Sequence, residues 1–301
     1  MNKDNFEEDE FKEVFKEIYR DLIKNVSITG EKKAFLLGGQ PGAGKSGLTA
    51  LLEKNNRDLI VINGDDFRKE HPYYEELEKK YGKESVEHTK GFAGKMTETL
   101  INKLSDEGYN LVIEGTLRTA EVPLRTQQLL AKKNYRVEMV VIQVRPEISY
   151  LGTLNRYEEM IAKNLQPRAT LKKDHQIVVD NLPNNLSTLY KEKVFFDIRI
   201  YNRENKCLYS MKKTPEIDPG ELIKKEFERS LKQEEKQYII KGYDRVLNYM
   251  SLRNASNEDI TNVLEMKKSI ENTLEKENLW TKKLNQDKEQ GLGLKRWKKE
   301  D

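Results

Sequence analysis

The stretch Gly39-Gln40-Pro41-Gly42-Ala43-Gly44-Lys45-Ser46 decides how this chain folds. It matches the pattern G-x-x-x-x-G-K-[ST], follows a short apolar run at residues 34–37, and opens a helix-forming segment that starts near Lys45. A strand, a glycine-rich loop and a helix in that order form a phosphate-binding loop. The glycines let backbone N–H groups converge on phosphate oxygens at points where a side chain would collide.

Two side chains of this loop carry specific chemistry. Lys45 can reach the β and γ phosphates of a nucleoside triphosphate, and the Ser46 hydroxyl suits Mg²⁺. The N-terminus of the following helix adds positive potential. We therefore predict ATP and Mg²⁺ as cofactors, with Lys45 catalytic, Ser46 on the metal, and a nucleotide cradle formed by Gly39, Gln40, Pro41, Gly42, Ala43, Gly44, Lys45 and Ser46. Motors, switches and kinases share such loops, so the loop alone does not identify the reaction.

Buried strands and helical segments alternate along the chain around this loop. Apolar runs at residues 59–62, 110–113 and 136–144 predict further strands separated by helical sequence. This alternation predicts an α/β fold of the P-loop NTPase and kinase type, with a mostly parallel sheet and helices on both faces. Residues 194–201 and 207–210 predict a hairpin at the edge of the sheet.

Charged helical sequence flanks the alternating part. Residues 6–24 carry apolar side chains at spacings of three and four, which predicts a helix packed beside the sheet. Strand signals end near residue 215, and Ser256 followed by Asp259 indicates a capping box that starts another helix. We predict a P-loop domain over residues 1–250 and a charged helical extension over residues 251–301, partly disordered and ending in a basic segment at residues 295–299.

Composition excludes several classes of protein. The 54 basic and 51 acidic residues leave a formal charge of +3, which is too small to favour nucleic acid as a partner. Cys207 is the only cysteine, so an intrachain disulfide and a cysteine zinc site are excluded. The acidic N-terminal segment lacks the apolar region of a signal peptide, and no stretch reaches the roughly 18 apolar residues of a membrane span. We expect a cytoplasmic protein with no membrane partner.

A pair of aspartates follows the second predicted strand. Asp65 and Asp66 come just after residues 59–62, and open α/β sheets bind ligands at the carboxyl ends of their strands. A kinase acting on a small molecule needs a carboxylate there to receive a hydroxyl proton. Successive side chains alternate faces in a strand, so one aspartate should face the cleft while the other faces solvent or caps a helix. The pattern leaves open which one does which.

The third predicted strand leads into a second polar segment. Glu114, Thr116 and Arg118 follow residues 110–113 and predict a substrate-binding surface, although an ordinary loop with Thr119 as a helix cap is an alternative. Arg156 and Arg168 are candidates to cover the phosphates as arginine fingers acting in cis.

Taken together, these segments resemble the zeta toxin family of toxin–antitoxin kinases over about residues 6–230. The motifs that carry the resemblance are residues 37–46, Gly64-Asp65-Asp66-Phe67-Arg68 with His71-Pro72, residues 113–119, residues 150–154, Arg156-Tyr157-Glu158 and Arg168-Ala169-Thr170. The resemblance implies ATP- and Mg²⁺-dependent phosphorylation of the 3′-hydroxyl of the amino sugar in UDP-N-acetylglucosamine, which poisons the supply of cell-wall precursors.

The same resemblance implies roles for individual residues and for a partner. Asp65 matches the catalytic base, and Arg156 and Arg168 match the two phosphate-binding arginines. Glu98, Glu114, Arg118 and Thr126 match positions that hold the UDP-sugar. Family members are held inactive by a small helical antitoxin of the epsilon type, so a separate partner protein is expected here.

Three other interpretations stay open at this point. The same machinery could act on another nucleotide sugar or on a polynucleotide hydroxyl, because the pocket alone sets the acceptor. The protein could also act mainly as a binding module through its basic C-terminal segment, although a charge run is more often a solvated face.

Overall fold

A computed structural model describes residues 6–165, 167 and 169–289 of the chain. Within them six strands form one sheet in the order β2-β3-β1-β4-β5-β6. The first five strands run parallel and β6 pairs antiparallel with β5. The strands are β1 Lys33–Gly38, β2 Leu59–Asn63, β3 Asn110–Glu114, β4 Arg136–Ile142, β5 Asp197–Tyr201 and β6 Cys207–Ser210. The mostly parallel α/β sheet predicted from the sequence is confirmed.

Helices connect the strands and continue beyond them. The described helices are α1 Glu8–Ile23, α2 Lys45–Asn55, α3 Tyr74–Tyr81, α4 Ser85–Glu107, α5 Glu121–Lys132, α6 Pro146–Ala162, α7 Lys172–Glu192, α8 Pro219–Glu228, α9 Gln233–Leu252 and α10 Asn257–Glu289. A short 3₁₀ helix spans Gly64–Glu70 directly after β2. No described helix is long and apolar enough to cross a membrane.

The sheet is buried on both faces. Alternate residues of β1 show this: Ala34 and Leu36 belong to one apolar cluster, and Phe35 and Leu37 belong to another. Parallel strands covered by helices on both sides have this continuous apolar sequence. β1 lies between β3 and β4 in the strand order. The loop that follows β1 therefore lies near the middle of the sheet's carboxyl edge.

Two predicted strands are shorter in the structure. β4 ends at Ile142, and Val144 is buried outside the strand, just before Pro146 opens α6. β5 begins at Asp197, although the N–H of Phe196 still donates to the Val137 oxygen at 2.8 Å. Apolar runs therefore overestimated strand length: after β4 the burial continues at Val144, whereas before β5 Val194 and Phe196 are exposed and only Phe195 is buried.

The chain divides into two compact units. The first comprises residues 1–156 and 168–229 and contains the whole sheet, and the second comprises residues 157–167 and 230–301. The boundary predicted from the sequence lies at residue 250, whereas this division puts α9 with α10; the two-domain assignment itself stays a prediction. The predicted disorder of the extension and its basic end at residues 295–299 lie largely outside the described residues.

Ion pairs organise the second unit. Arg253 donates from Nε and Nη2 to both carboxylate oxygens of Glu158, at 2.7 and 2.8 Å. The buried ammonium of Lys236 pairs with Glu277. At the start of α10 the Ser256 hydroxyl oxygen accepts from the N–H of Asp259 at 3.1 Å, so the predicted cap of this helix is confirmed.

Candidate active site

The phosphate-binding loop, residues 39–46, is held in one shape by close backbone packing. Gly42 and Gly44 have φ angles of +75° and +102°, which side chains rarely tolerate. A β-carbon on Gly42 would lie 2.0 Å from the Ser149 oxygen of α6, and one on Gly152 would lie 2.4 Å from the Gly42 oxygen. The loop and α6 therefore approach each other so closely that both contacting positions must be glycine.

Three of the predicted cradle residues stand behind the cavity wall instead of lining it. Gln40 and Ala43 are fully buried, and Gln40 Nε2 donates to the Val144 oxygen at 2.8 Å. Gly39 contacts Ile142, where an added β-carbon would lie 2.5 Å from a methyl carbon. The side chain of Gln40 thus holds the loop in place, while any contact of these residues with phosphate would come from the backbone.

Lys45 begins α2 and turns back over the loop. Its ammonium donates to the Gly39 oxygen at 3.0 Å and to the Gln40 oxygen at 3.4 Å. Burial lowers the pKa of Lys45 and outweighs the carboxylates of Glu114 and Asp65, which raise it. The sequence predicted that a helix starts near Lys45, and α2 begins at this residue.

A cavity of about 810 Å³ opens over the loop, and it lies entirely within the first unit. Most of the predicted site residues line it: Pro41, Gly42, Gly44, Lys45, Ser46, Asp65, Glu98, Glu114, Thr116, Arg118, Thr126 and Arg156. Cavities that enclose small ligands usually measure about 300–1,000 Å³, so this one lies in the upper part of that range. Arg168 lies outside the described residues, and its role stays a prediction.

Positive charge dominates the wall of the cavity. Three carboxylates line it, namely Asp65, Glu98 and Glu114, against seven cations: Lys45, Arg68, Lys90, Arg118, Arg125, Arg156 and Arg203. A cleft lined mainly by one sign of charge concentrates ligands of the opposite sign. The site therefore suits a ligand with several phosphate groups.

Asp65 lines the cavity, whereas Asp66 is not among the residues of its wall. The pair lies in the 3₁₀ helix and not in the strand, because the Asn63 side chain caps the turn by accepting from the N–H of Asp65 at 3.2 Å. The prediction that the two side chains point to opposite faces of a strand was therefore based on the wrong backbone geometry. The expectation that only one of them faces the cleft agrees with the placement.

Opposing effects act on the carboxylate of Asp65. The side chain of Asp65 is 54% exposed, and partial desolvation by the surrounding cavity wall raises its pKa; the charges of Arg68, Lys45 and Arg156 outweigh this effect, so the pKa is lowered overall. Arg68 contributes most of this, since its Nε donates to Asp65 Oδ1 at 2.9 Å. Arg68 is itself anchored to α4, where it donates to the Val86 oxygen at 2.6 Å. Asp65 is consequently ionised at neutral pH.

Glu114 stands at the end of β3, beside the helix that follows the loop. One of its carboxylate oxygens accepts from the Thr49 hydroxyl at 2.8 Å, and Thr49 is nearly buried. This places Glu114 close enough to Lys45 to raise its pKa. The other carboxylate oxygen can meet a ligand.

The far wall of the cavity comes from α4, α5 and the segment between β3 and α5. Arg118 Nη2 donates to Asp174 Oδ1 at 3.2 Å, and the Thr126 hydroxyl donates to the Val122 oxygen at 3.0 Å. Ala120, not Thr119, precedes the first turn of α5, so the alternative of a Thr119 cap is wrong. Leu117 adopts a φ of +59°, and its oxygen accepts from Asn185 Nδ2 at 2.9 Å.

Four residues that line or support the cavity were given no role of their own in the predictions from sequence. Arg68 was quoted only as part of a motif, yet its spacing of three from Asp65 is a detectable sign of a turn contact. Gly152 was likewise quoted only within the motif at residues 150–154, although a glycine inside a helical segment often marks close packing. Thr49 and Arg203 carried no local sign, because their partners are distant in sequence.

The described residues offer few side chains that could bind a metal ion in the cavity. Within the described part of the chain no cluster of three or more His, Cys, Asp or Glu side chains could hold a metal ion. Mg²⁺ is usually bound through one or two protein oxygens together with substrate phosphates. The exposed Ser46 hydroxyl at the start of α2 fits that requirement.

The parallel sheet, the loop after its central strand and the cationic cavity define a P-loop protein of the kinase-like α/β class. Comparison with known proteins narrows this class. The family model described as "Zeta toxin" matches residues 16–214. This chain belongs to the zeta toxin family.

Individual relatives support that assignment. Toxin zeta of Streptococcus pyogenes is 46% identical over 235 residues, which cover 77% of this chain and 82% of that protein. Toxin PezT of Streptococcus pneumoniae serotype 4 is 44% identical over 214 residues, covering 70% and 85%. A solved structure from the PezAT chromosomal toxin–antitoxin system of Streptococcus pneumoniae superposes with a TM-score of 0.74 at 38% identity, covering 83% of this chain and 100% of that one.

Proposed function

We propose that this protein is an ATP- and Mg²⁺-dependent kinase that phosphorylates the 3′-hydroxyl of the amino sugar in UDP-N-acetylglucosamine. One observation carries the proposal: Asp65, Lys45 and Arg156 line one cavity closely enough for both cations to shift the pKa of Asp65. A carboxylate opposite a phosphate-binding lysine is the arrangement needed to transfer phosphate to a hydroxyl.

In this mechanism each residue has a separate task. The loop and Lys45 hold the nucleotide, and Arg156 neutralises charge on the phosphoryl group as it moves. The sugar oxygen bonds to the γ-phosphorus, the bond to the β-phosphate oxygen breaks, and ADP leaves. Asp65 receives the hydroxyl proton late in the step, so a carboxylate with a low pKa is sufficient. Mg²⁺, held by Ser46 and the phosphates, would supply further charge neutralisation.

The acceptor would occupy the wall opposite the loop. Glu98, Glu114, Thr116, Arg118 and Thr126, which all line the cavity, are the residues proposed to hold it. The carboxylates and hydroxyls suit sugar hydroxyl and amide groups, and Arg118 suits a diphosphate. Transfer requires that both molecules bind in this cavity with the sugar hydroxyl next to the γ-phosphorus.

A transfer assay tests the proposal. Wild-type protein incubated with ATP, Mg²⁺ and UDP-N-acetylglucosamine should give ADP and a phosphorylated sugar nucleotide, detected by mass spectrometry. Parallel reactions with other nucleotide sugars and with a 5′-hydroxyl oligonucleotide identify the acceptor. Transfer only to one of these would replace the proposed substrate, and no transfer to any acceptor despite bound ATP would remove the kinase proposal.

The pair of aspartates supplies the matched variants for this assay. Asp65→Asn should reduce transfer about a thousandfold, within the range expected for loss of a general base and its charge. Asp66→Asn, outside the cavity wall, should change transfer less than threefold, which is about 0.65 kcal/mol of activation free energy. Equal losses in both variants would show that Asp65 is not the base.

We also propose that the protein is the toxin of a toxin–antitoxin pair and is held inactive by a small helical antitoxin. The support is its family membership and its likeness to the structure from the PezAT toxin–antitoxin system. Expression from a controlled promoter should arrest growth of the host cell, and Asp65→Asn should abolish the arrest. Normal growth during accumulation of the active enzyme would contradict this role.

A further inference from the structure

The turn between β5 and β6, residues 202–206, lies against the phosphate-binding loop. Arg203 Nε is 3.7 Å from the point where a β-carbon on Gly44 would be, and the side-chain amide of Asn205 is 3.8 Å from the corresponding point on Gly47. Gly44 and Gly47 flank the two residues, Lys45 and Ser46, that carry the predicted phosphate and metal contacts. The turn thus borders the part of the loop where nucleotide phosphates bind.

Sheet topology explains how so distant a segment reaches the loop. β4 lies between β1 and β5, and all three strands are parallel, so the segments that follow them emerge at the same edge. The N–H of Gln143, just after β4, donates to the Tyr201 oxygen at 2.8 Å. This bond ties the start of the turn to the strand that lies next to the loop.

Hydrogen bonds within the turn define where Arg203 sits. Asn202 Oδ1 accepts from the N–H of Lys206 at 2.9 Å, and the Asn202 oxygen accepts from the N–H of Asn205 at 3.1 Å. Asn205 completes the turn with a φ of +60°, a conformation that asparagine tolerates better than most residues. Arg203 is therefore presented from a structured turn.

Arg203 also forms part of the wall of the cavity. It lies over Gly44, at the N-terminus of α2, where backbone N–H groups and the helix dipole attract phosphate. Arginine is well suited to such a site, because its planar guanidinium can form two parallel hydrogen bonds with phosphate oxygens.

We propose that Arg203 is a nucleotide-binding residue that contacts the phosphates held by the loop, from the side of the β5–β6 turn. The proposal rests on the proposed function only in that a nucleotide occupies the loop. It adds an arginine from a third part of the fold to Arg156 and Arg168, which the family resemblance supplied.

Its contribution should be to binding more than to transfer. Lys45, Arg68 and Arg156 act on the carboxylate of Asp65, the proposed base, whereas the contact made by Arg203 is with Gly44 of the phosphate-binding loop. Arg203 lies beside Gly44, where the phosphates nearer the nucleoside would rest. Its loss should therefore raise Kd and KM for the nucleotide and affect kcat less.

Calorimetric titration of the full chain with ADP tests this assignment. Arg203→Ala should weaken ADP binding about tenfold or more, the loss expected when a charge-assisted contact to phosphate is removed. Arg203→Lys should recover part of the affinity because it keeps the charge. Lys206→Ala, an exposed cation on the same turn, is the matched control and should bind ADP as the wild type does.

The possible results separate this inference from the proposed function. ADP binding by Arg203→Ala equal to that of the wild type would overturn the inference, and so would equal losses in Arg203→Ala and Lys206→Ala. A wild-type protein that binds no nucleotide would overturn both proposals. Normal ADP binding without phosphoryl transfer to any acceptor would overturn the kinase proposal alone, and a selective loss in Arg203→Ala would still support the arginine contact.

Discussion

At Asp65, neighbouring charges and desolvation have opposite effects on the pKa of one carboxylate. Its carboxylate lies beside three cations, and their combined effect lowers its pKa despite desolvation, which raises it. As the proposed base, Asp65 must be ionised to accept a proton, so activity should be present above its pKa and lost as pH falls through it. The acid limb of the transfer reaction should accordingly lie below the ordinary aspartate pKa of about 3.9.

Arg68→Gln should move this acid limb to higher pH. The substitution removes the positive charge nearest to Asp65, so the effect of desolvation is less opposed and the pKa of Asp65 rises. The measurement is kcat/KM against pH for both proteins. Lys69→Gln removes an exposed charge from the same 3₁₀ helix and should leave the limb unchanged. An unmoved limb in Arg68→Gln would contradict the assigned electrostatics.

Thr49 positions a second carboxylate. Its hydroxyl donates to Glu114 at 2.8 Å, and Thr49→Val would remove that donor while keeping the shape of the side chain. Transfer should fall about tenfold, which corresponds to roughly 1.4 kcal/mol for one lost hydrogen bond to a charged group. Thr49→Ser keeps the hydroxyl and should retain most of the activity. Steady-state kinetics check both variants, and equal activity of Thr49→Val and wild type would exclude this role.

Among the elements distant in sequence, α6 packs directly against the phosphate-binding loop. It carries Arg156 and, one turn earlier, meets the loop where Gly152 touches Gly42. The loop therefore depends on its own glycines and also on a glycine in a helix more than one hundred residues away. Close packing of backbone against backbone leaves no space for even one methyl group.

Gly152→Ala should destabilise the protein by about 1–3 kcal/mol and weaken nucleotide binding, because the new methyl group would overlap the Gly42 oxygen. Gly91→Ala supplies the contrast. Gly91 lies in α4 with open space around its α-carbon, so alanine should stabilise the protein by about 0.5–1 kcal/mol. Urea unfolding and ADP titration measure both effects, and an undisturbed Gly152→Ala would contradict the close packing.

The residues of the proposed active site all lie in the first compact unit. The second unit is stabilised by ion pairs of its own. The clearest is the pair of Arg253 and Glu158, in which the carboxylate is almost fully buried. Removing one member of such a pair leaves the other buried without a counter-charge, and that is more costly than removing both.

Arg253→Ala should therefore destabilise the protein by about 3 kcal/mol, read from urea unfolding. The double variant Arg253→Ala with Glu158→Gln should recover part of this loss, because a neutral amide is less costly to bury than a carboxylate. Additive losses in the double variant would indicate that the two side chains do not interact.

Much of the fold could be predicted from the sequence, because loops, strands and helix caps depend on residues close to one another in the chain. The loop at residues 39–46, the apolar strands around it and the cap at Ser256 depend on backbone conformation and on neighbours a few residues away. The lengths of β4 and β5 were overestimated, because an apolar run does not record where strand pairing begins or ends.

The sequence by itself determined that a phosphate-binding loop follows a buried strand and that acids and arginines follow the neighbouring strands. Only the tertiary structure decided that Asp65 and not Asp66 lines the cavity, that Gly152 meets Gly42, and that Arg203 reaches the loop. The physical reason is that these contacts depend on strand order, helix packing and turn geometry. Those features join residues that are far apart in the chain, and no local pattern records them.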